Sequence, residues 1–225
     1  MLTRFFIILK RLKKINLKTI YFNFKYLSFS QAVHIPVLIS TKVCLSAIKG
    51  KIVIEAPINS GMIKIGYGDI RLFDKKKSRT IWDVNGTVVF KGKTHIGHGS
   101  KISVWEDGEL ILGKNFTINA ESTIVASNKV EFGDNCLLSW DILIMDTDFH
   151  PIMDYNGVRC NPSLPIYIGN KVWIGCRCLI LKGTQIPDQS IIAANSTVNK
   201  KLEGENNVFG GNPIRILKKE ITWIM

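Results

Sequence analysis

The sequence predicts an all-β fold, a parallel β-helix that carries one extruded loop, a basic N-terminal segment and a short C-terminal helix. Three observations lead to this expectation. Aliphatic residues recur every six positions, glycines follow several of them, and one stretch of twenty residues interrupts the repeat. A period of six fits neither an α-helix nor a lone amphipathic strand, and it is typical of a solenoid of short strands.

The repeat is clearest in the last third of the chain. One run of aliphatic residues keeps the six-residue step without a gap, at Ile168, Ile174, Ile180, Ile186, Ile192 and Val198. Four residues after each of its first five members stands a small or β-branched residue, at Val172, Cys178, Thr184, Ser190 and Ser196. Shorter runs with the same step lie upstream, at Val84, Phe90, Ile96 and Ile102, at Leu112, Ile118 and Ile124, and at Phe132, Leu138 and Ile144. In such a solenoid each strand points one aliphatic inward, and stacked coils bury a continuous core.

Glycine and loop signals divide the chain. A glycine follows an inward aliphatic where a corner requires a residue without a Cβ, at Gly97, Gly113, Gly133, Gly169 and Gly175. Residues 146–165 have no register and are rich in turn formers, so we expect a functional loop. The predicted divisions are an N-terminal segment (1–54), the β-helix (55–205) and a C-terminal cap (206–225), whose residues 214–225 are expected to form the short helix.

The charge is concentrated at the N-terminus. Residues 1–54 contain ten Lys or Arg and no acidic residue, whereas the rest of the chain is nearly balanced. Aromatic and aliphatic residues alternate with these charges and can share one helical face, at Phe5, Ile8, Leu12, Ile15, Tyr21 and Phe22. Two interpretations stay open: residues 1–30 bind an anionic membrane surface, or they form a helix across the open end of the solenoid.

Composition excludes several classes of protein. No run of 18 apolar residues exists, so we expect no membrane-spanning helix. Five scattered cysteines do not form a disulfide framework, which favours a cytoplasmic protein, with peripheral attachment to the inner face of the membrane as an extension. Neither a zinc signature nor a nucleic-acid-binding motif is present, so neither a metal nor a nucleic acid is an expected partner.

His150 is the main candidate for chemistry. It lies in the interrupting stretch with Asp146 and Asp148 just before it. A histidine in a long loop beside carboxylates suits a general base, because a carboxylate can orient the imidazole. The pair His95 and His98 flanks a coil corner, where histidines are usually solvated. Composition alone leaves open whether His150 is catalytic or an ordinary surface histidine.

The hexapeptide register resembles the left-handed β-helix acyltransferases, and in particular the galactoside, maltose and polysaccharide O-acetyltransferases. The resemblance covers about residues 110–219. Four stretches carry it: NFTINAESTI (115–124), FGDNCLLSWDILIMDTDFHPI (132–152), IGNKVWIGCRCLILKGTQIPDQSIIAANSTVNK (168–200) and GGNPIRILKK (210–219). It implies a left-handed winding, a homotrimer with sites between subunits, and transfer of an acetyl group from acetyl-CoA to a hydroxyl of a sugar or glycan.

The resemblance also assigns roles to single residues. His150, followed by Pro151, matches the family's general base, and Asn119 matches an asparagine of the acceptor site. Four residues match positions near the cofactor, namely Trp173, Lys200, Arg215 and Lys218. Two departures bear on the acceptor: Glu121 stands where relatives often have a small polar residue, and the basic N-terminal segment replaces the usual helical one. These departures favour a lipid-linked or membrane-proximal glycan over a simple sugar.

Two other functions are compatible with the same fold. A carbonic anhydrase would require three histidines converging on zinc, and His95, His98 and His150 are poorly spaced for it. A non-catalytic scaffold would leave the extruded loop and the basic cofactor positions unexplained. An assay of thioester cleavage distinguishes both from an acyltransferase.

Overall fold

The computed structural model describes residues 15–68 and 70–224, in which two helices precede a long series of short strands. The helices are α1 (Leu17–Tyr26) and α2 (Phe29–Ala32). The strands are β1 (Val37–Ile39), β2 (Cys44–Ile48), β3 (Lys51–Ile54), β4 (Ile63–Tyr67), β5 (Ile81–Val84), β6 (Thr87–Phe90), β7 (Thr94–Gly97), β8 (Lys101–Val104), β9 (Glu109–Leu112), β10 (Phe116–Ala120), β11 (Thr123–Ala126), β12 (Lys129–Phe132), β13 (Leu137–Trp140), β14 (Leu143–Met145), β15 (Ile166–Ile168), β16 (Trp173–Ile174), β17 (Leu179–Leu181), β18 (Gln185–Ile186), β19 (Ile191–Ile192), β20 (Thr197–Val198), β21 (Val208–Gly210) and β22 (Arg215–Lys218).

The strands form the three faces of a left-handed parallel β-helix, as expected. Sheet I has the order β1-β4-β7-β10-β13-β16-β19-β21-β22, sheet II the order β2-β5-β8-β11-β14-β17-β20, and sheet III the order β3-β6-β9-β12-β15-β18. Each coil therefore contributes one strand to each sheet, and every pairing except β21–β22 is parallel. The backbone groups of one coil bond to the coils above and below it.

The residues that follow the six-residue step form the hydrophobic core. All six aliphatics of the C-terminal run are at most 3% exposed, and all ten members of the upstream runs are fully buried. The small residues four positions later are also buried, with Thr184 and Ser190 at 0%. The residues of the six-residue step thus stack on their counterparts along the axis, as the sequence predicts. The longer strands bury a second inward residue as well, for example Leu110 beside Leu112.

Glycines at the corners are required by the close approach of neighbouring coils. A Cβ on Gly97 would lie 1.8 Å from the carbonyl oxygen of Asn119, and one on Gly113 would lie 2.1 Å from that of Gly133. Left-handed backbone at the corners is instead adopted by other residues, for example Asn115 and Asn135. The predicted reason for these glycines, the absence of a Cβ, is therefore correct.

Helix α1 closes the N-terminal end of the solenoid. The side-chain amide of Asn23 donates to the carbonyl of Val37 and accepts from its N–H, while the Thr19 hydroxyl bonds both backbone groups of Ile39. Helix side chains thus satisfy the open edge of β1, which would otherwise be free to pair with another chain. Phe22 is 1% exposed and packs edge-on against Trp82 at 5.4 Å.

These contacts correct the predicted N-terminal boundary. The first coil begins at Val37, so residues 37–54 belong to the β-helix and not to a separate basic segment. The six-residue step is not regular in residues 37–54, because β2 has a register irregularity against β5. The part of the predicted helical face at Phe5, Ile8 and Leu12 lies outside the described residues. Neither helix in the described ranges has the length and apolar character needed to cross a membrane.

The predicted C-terminal helix is wrong. Residues 215–218 form strand β22, which turns back after Pro213 and pairs antiparallel with β21. The preceding coil ends in an unpaired strand edge, and the antiparallel strand β22 satisfies that edge through backbone pairing. Trp223 then packs near Trp173, with ring centroids 6.0 Å apart.

Two long excursions leave the coils at different corners. Residues 68–80 connect β4 of sheet I to β5 of sheet II, and residues 146–165 connect β14 of sheet II to β15 of sheet III. The second is the predicted extruded loop, and its bounds agree with the sequence. The coils on either side stay in register, since Met145 pairs with Leu181 and Ile166 pairs with Val130.

Candidate active site

The extruded loop is anchored at its start by a buried carboxylate. Asp146 is fully buried, and its two oxygens accept hydrogen bonds from the backbone N–H groups of Ser127 and Asn128, at 2.7 and 2.8 Å. Its own carbonyl accepts from Leu164 near the other end of the loop. Asp146 therefore closes the base of the loop, and its carboxylate is occupied by backbone rather than by His150.

A second carboxylate holds the next turn of the loop. Asp148 pairs with the ammonium of Lys182 on the neighbouring coil and accepts a hydrogen bond from the Asn161 amide at 2.8 Å. These two partners, the Lys182 bond first, lower the pKa of Asp148 below its ordinary value. Asn161 also donates to the carbonyl of His150, at 2.9 Å, and accepts from the N–H of Ile152, at 2.6 Å. The arrangement fixes the backbone on both sides of His150.

His150 itself is exposed at the surface of the loop. In the described part of the chain its imidazole makes no hydrogen bond, and the carboxylate of Asp148 faces Lys182 and Asn161. Asp148 thus acts on the main chain of His150 through Asn161, and not on the ring as the sequence suggested. The preceding Phe149 packs on Trp105 with ring centroids 5.5 Å apart, which draws the loop back along the corner.

Asn119 and Trp173 both lie on sheet I. Asn119 is half-buried near the end of β10, and Trp173 is half-buried at the start of β16, two coils further on. The indole N–H of Trp173 donates to the buried hydroxyl of Ser139, at 3.1 Å. The Trp223 indole is held beside it by a 2.9 Å bond to the carbonyl of Lys171. The C-terminal residues therefore form one side of the surroundings of Trp173.

Two of the three predicted cofactor cations line one pocket. Lys200 and Arg215 border a cavity of about 280 Å³ near the C-terminal end of the solenoid, together with Lys201. Lys218 does not line it. Lys218 pairs with Val208 beyond a register irregularity between β21 and β22, whereas Arg215 pairs with Gly210 in regular register. Glu203 also lines the pocket, and the excess of three cations over this one carboxylate suits a ligand with several phosphates.

One chain does not bring all of the predicted site residues together. Asn119 lies at the corner between sheets I and II, whereas the loop of His150 leaves at the corner between sheets II and III. A sheet II strand of four residues, about 13 Å long, separates these corners. The groove along sheet I, the cavity on sheet III and the cavity at the C-terminal end are lined by neither His150 nor Asn119, and in the described residues no hydrogen bond joins the two side chains.

The other reactive side chains have structural surroundings. Burial raises the pKa of the Cys136 thiol to about 12 and also raises that of Cys178, so neither is a thiolate nucleophile. Both fill inward positions of the coils and pack in the core. Within the described ranges, no group of three or more His, Cys, Asp or Glu side chains is arranged to hold a metal ion.

Residue spacing alone does not identify the residues that hold the loop and the tryptophan. Asn161 stands before a proline in a turn-rich stretch and is 7% exposed, an unusual burial for a loop asparagine. Lys182 follows an inward aliphatic like many surface lysines, and nothing in its spacing indicates a partner. Trp223 carried the clearest signal, since a tryptophan in a charged tail is more often packed than exposed.

These features define a parallel β-helix with one coil interrupted by an anchored, histidine-bearing loop. The galactoside O-acetyltransferase of Escherichia coli K12 is 38% identical over 111 residues, which cover 48% of this chain and 53% of that protein. The Saccharomyces cerevisiae protein YJL218W, provisionally named an acetyltransferase, is 30% identical over 151 residues, or 65% of this chain and 72% of that protein. Among solved structures, the polysialic acid O-acetyltransferase OatWY aligns with a TM-score of 0.50 and 24% identity, covering 84% of this chain and 87% of that one.

At that identity the likeness to OatWY shows the fold. The comparison with protein-family models gives no match. The chain spans about half the length of the galactoside O-acetyltransferase that it matches. The chain belongs to the hexapeptide-repeat acyltransferase family, the left-handed β-helix enzymes that resemble galactoside and polysaccharide O-acetyltransferases.

Proposed function

We propose that this protein transfers an acetyl group from acetyl-CoA to a hydroxyl of a sugar or a cell-surface polysaccharide precursor. The observation that carries the proposal is the anchored loop that holds His150 exposed beside the solenoid, in a chain of this family. The named relatives support it, because they include a galactoside and a polysialic acid O-acetyltransferase. The cationic pocket of Lys200 and Arg215 supports a donor with phosphate groups.

The proposed mechanism is a direct transfer without a covalent enzyme intermediate. His150 takes the proton from the acceptor hydroxyl as its oxygen attacks the carbonyl carbon of the thioester. The tetrahedral oxyanion requires hydrogen-bond donors, for which backbone N–H groups of a neighbouring coil are suited. Collapse of the oxyanion breaks the carbon–sulfur bond, and the imidazolium returns its proton to the leaving thiolate. Asn119 positions the acceptor, Trp173 lies along the cofactor, and Asp148 positions the His150 backbone.

The proposed assembly is a homotrimer with each site shared by two subunits. The separation of Asn119 and His150 on one chain supports it, since a second chain can supply the missing half. Sheet II also presents an apolar row beside the extruded loop, formed by Leu143, Met145, Leu179 and Leu181 on β14 and β17. Leu179 is 40% exposed, as expected for a surface that another subunit covers. Light scattering on the wild type and on Leu179→Asp tests this assembly, and a monomeric wild type would contradict it.

Peripheral attachment to an anionic membrane through residues 1–30 is a further part of the proposal. The inner face of α1 caps the solenoid, but its outer face exposes apolar side chains at Leu17, Ile20, Tyr21 and Phe24. Basic residues surround this face in the sequence. Such a combination suits the interface of an anionic bilayer. Cosedimentation with anionic and neutral vesicles, comparing wild type with Leu17→Ser plus Phe24→Ser, tests it. Equal binding of both proteins would contradict it.

The test of the transfer reaction combines two measurements. The protein is incubated with acetyl-CoA and glycan precursors from the source cell, and mass spectrometry looks for the gain of one acetyl group. Release of free CoA thiol is followed in parallel, with and without acceptor. Acceptor-dependent thiol release with acetylated product supports the proposal. A protein that leaves the thioester intact with every precursor would contradict it and favour a scaffold.

A further inference from the structure

The excursion between β4 and β5 carries the densest cluster of positive charge in the described solenoid. We call its described residues 70–80 the basic loop. Five of them are basic, namely Arg71, Lys75, Lys76, Lys77 and Arg79, against one acidic residue, Asp74. All five basic side chains are exposed. Among the described residues, Arg71, Lys76, Lys77 and Arg79 form no ion pair. The positive charge of these four side chains is therefore not neutralised by an acidic partner in the described part of the chain.

The chain packs against Asn119, the candidate acceptor-site residue, just before the basic loop begins. Gly68 packs so closely there that an added Cβ would lie 3.4 Å from the carbonyl oxygen of Asn119 and 3.1 Å from the ring of His98. The first turn of the loop then places Phe73 edge-on to the same His98 ring, with centroids 6.4 Å apart. The beginning of the loop is thus fixed beside the end of β10.

The end of the basic loop is fixed at the same corner. The hydroxyl of Ser78 donates to the carboxylate of Glu121, and the ammonium of Lys101 lies 3.8 Å from the other oxygen of that carboxylate. Gly99 lies between them and allows this contact, because a Cβ there would be 2.4 Å from the Ser78 oxygen. Glu121, which departs from the family pattern, therefore serves as the anchor of the loop. Both ends of the basic loop meet the segment 119–121.

A groove lies along the first residues of the sheet I strands, and its lining ends at His95 and Thr117, on the side that faces this corner. It has a volume of about 820 Å³, within the range of small-ligand sites of about 300–1,000 Å³. Thr117, which lies on the same outward face of β10 as Asn119, lines it, and His95 lies between the groove and Gly68. The groove lining offers amides, hydroxyls and lysines, including Asn115, Asn135 and Lys93, and no carboxylate among its described residues.

We propose that the acceptor is an anionic saccharide that lies in this groove and places its negative groups against the basic loop. The proposal rests on the acetyl transfer proposed above and specifies its substrate class. Amides and hydroxyls bond the sugar hydroxyls in the groove, while exposed cations attract carboxylate or phosphate groups and raise the local concentration of an acidic chain. The hydroxyl to be acetylated then lies at Asn119, between the groove and the loop.

The experiment compares three probes of equal length: an oligosaccharide of sialic acid, a phosphorylated maltooligosaccharide and the neutral maltooligosaccharide. Binding and acetyl transfer are measured with the full-length protein at low and high ionic strength. The variant Lys76→Ala plus Lys77→Ala removes two charges of the basic loop. Lys49→Ala plus Lys51→Ala removes two exposed charges at the corner between sheets II and III and serves as the matched control. Lys76→Arg plus Lys77→Arg keeps the charge.

Wild type is expected to prefer at least one anionic probe, and the loop variant is expected to weaken its binding about tenfold, as two charge contacts each worth severalfold predict. Added salt should reduce the difference, since exposed charge contacts are screened. The control and the charge-keeping variant should resemble wild type. Affinity for acetyl-CoA should be the same in all four proteins.

Several outcomes test the anionic acceptor separately from the proposed acetyl transfer. Equal binding of neutral and anionic probes, or full affinity in the loop variant, would overturn the anionic acceptor even if acetyl transfer proceeds. Loop-dependent binding of an anionic probe without any acetyl transfer would contradict the proposed reaction and support the anionic groove. The same proteins are also cosedimented with anionic vesicles. A loop variant that binds all three probes like wild type and loses only its binding to these vesicles would overturn the saccharide assignment in favour of a membrane contact.

Discussion

Ile144 and His150 are six residues apart, the spacing of the repeat, yet their surroundings are opposite. Ile144 is fully buried in β14 and continues the inward row of Phe132 and Leu138. His150 stands where the next inward residue would fall, but the chain has left the coil and exposes it. The coils are therefore stabilised by buried apolar side chains that stack along the axis. The loop is held by a few polar contacts at its base, so its exposed side chains contribute little to the core.

The largest expected effect is a loss of turnover when His150 in the loop is replaced. His150→Ala should lower turnover by about 10²–10⁴-fold, the usual contribution of a general base, without a change in melting temperature. Tyr155→Ala, in the same loop and 98% exposed, is the matched control and should retain full activity. Thiol release from acetyl-CoA with acceptor measures both. A His150→Ala rate within about threefold of wild type would remove this residue from the mechanism.

The second expected effect is a loss of stability when Ile144 in the coil is replaced. Ile144→Ala should lower the free energy of unfolding by about 2–5 kcal/mol, because it leaves a cavity in a packed row. Ile152→Ala makes the same chemical change in the loop, where the side chain is 56% exposed, and should shift it by no more than about 0.5 kcal/mol. Urea unfolding measures both variants. Similar losses at the two positions would show that the loop is part of the cooperative core.

Much of this contrast is visible in the sequence. The strict step from Ile168 to Val198 predicts the inward rows because one residue per strand must be apolar. The loop bounds follow from the same register, since the step ends after Ile144. The first coil was not predicted, because its strands at 37–54 have an irregular pairing and their neighbour coil is interrupted by the basic loop.

The contacts within the candidate site were less predictable. Whether Asp148 faces a histidine or a lysine depends on Lys182, which is 34 residues away in sequence and adjacent only after the coils stack. Arg215 lines the pocket and Lys218 does not, because β22 turns back against β21 with an irregular register. Nothing in the spacing of these residues indicates that pairing.

A smaller effect should sharpen the assignment of the cofactor pocket. Lys200→Ala plus Arg215→Ala should raise KM for acetyl-CoA about tenfold at low salt and less at high salt, since both charges face one pocket. KM for the acceptor should change little. The sequence also assigns Lys218 to the cofactor, and Lys218→Ala tests that assignment separately. If Lys218→Ala alone raises KM as much as the double variant, the pocket is not the cofactor site.

The smallest effect concerns the polar base of the loop. Asp148→Asn should lower kcat severalfold and increase amide exchange near Ile152, because it removes the ion pair with Lys182. The pKa of Asp148 is lowered in the folded state, so its contribution is complete above the ordinary carboxyl pKa of about 3.9 and is lost as pH falls below that value. Protection factors of wild type, corrected for the intrinsic exchange rate at each pH, should therefore approach those of the variant only as the pH falls through the lowered pKa of Asp148.

Lys182→Met serves as the partner variant for this prediction. If the ion pair is the cause, combining Lys182→Met with Asp148→Asn should add little to either single change, since both remove the same contact. Fully additive effects on amide exchange would assign the role of Asp148 to Asn161 instead. Retention of wild-type exchange in Asp148→Asn would show that Asp146 alone holds the loop.

The pairing of Met145 with Leu181 and of Ile166 with Val130, on either side of a twenty-residue excursion, has a consequence for how such a molecule can be altered. Each coil bonds to the coils above and below it. The number of residues inserted at a corner therefore does not change which strand residues pair. The corner between sheets II and III is therefore a natural insertion point, as is the corner that holds the basic loop. Segments of other lengths and chemistries grafted between 146 and 165 should leave the solenoid folded, and the same scaffold could then present a different set of side chains to a different acceptor.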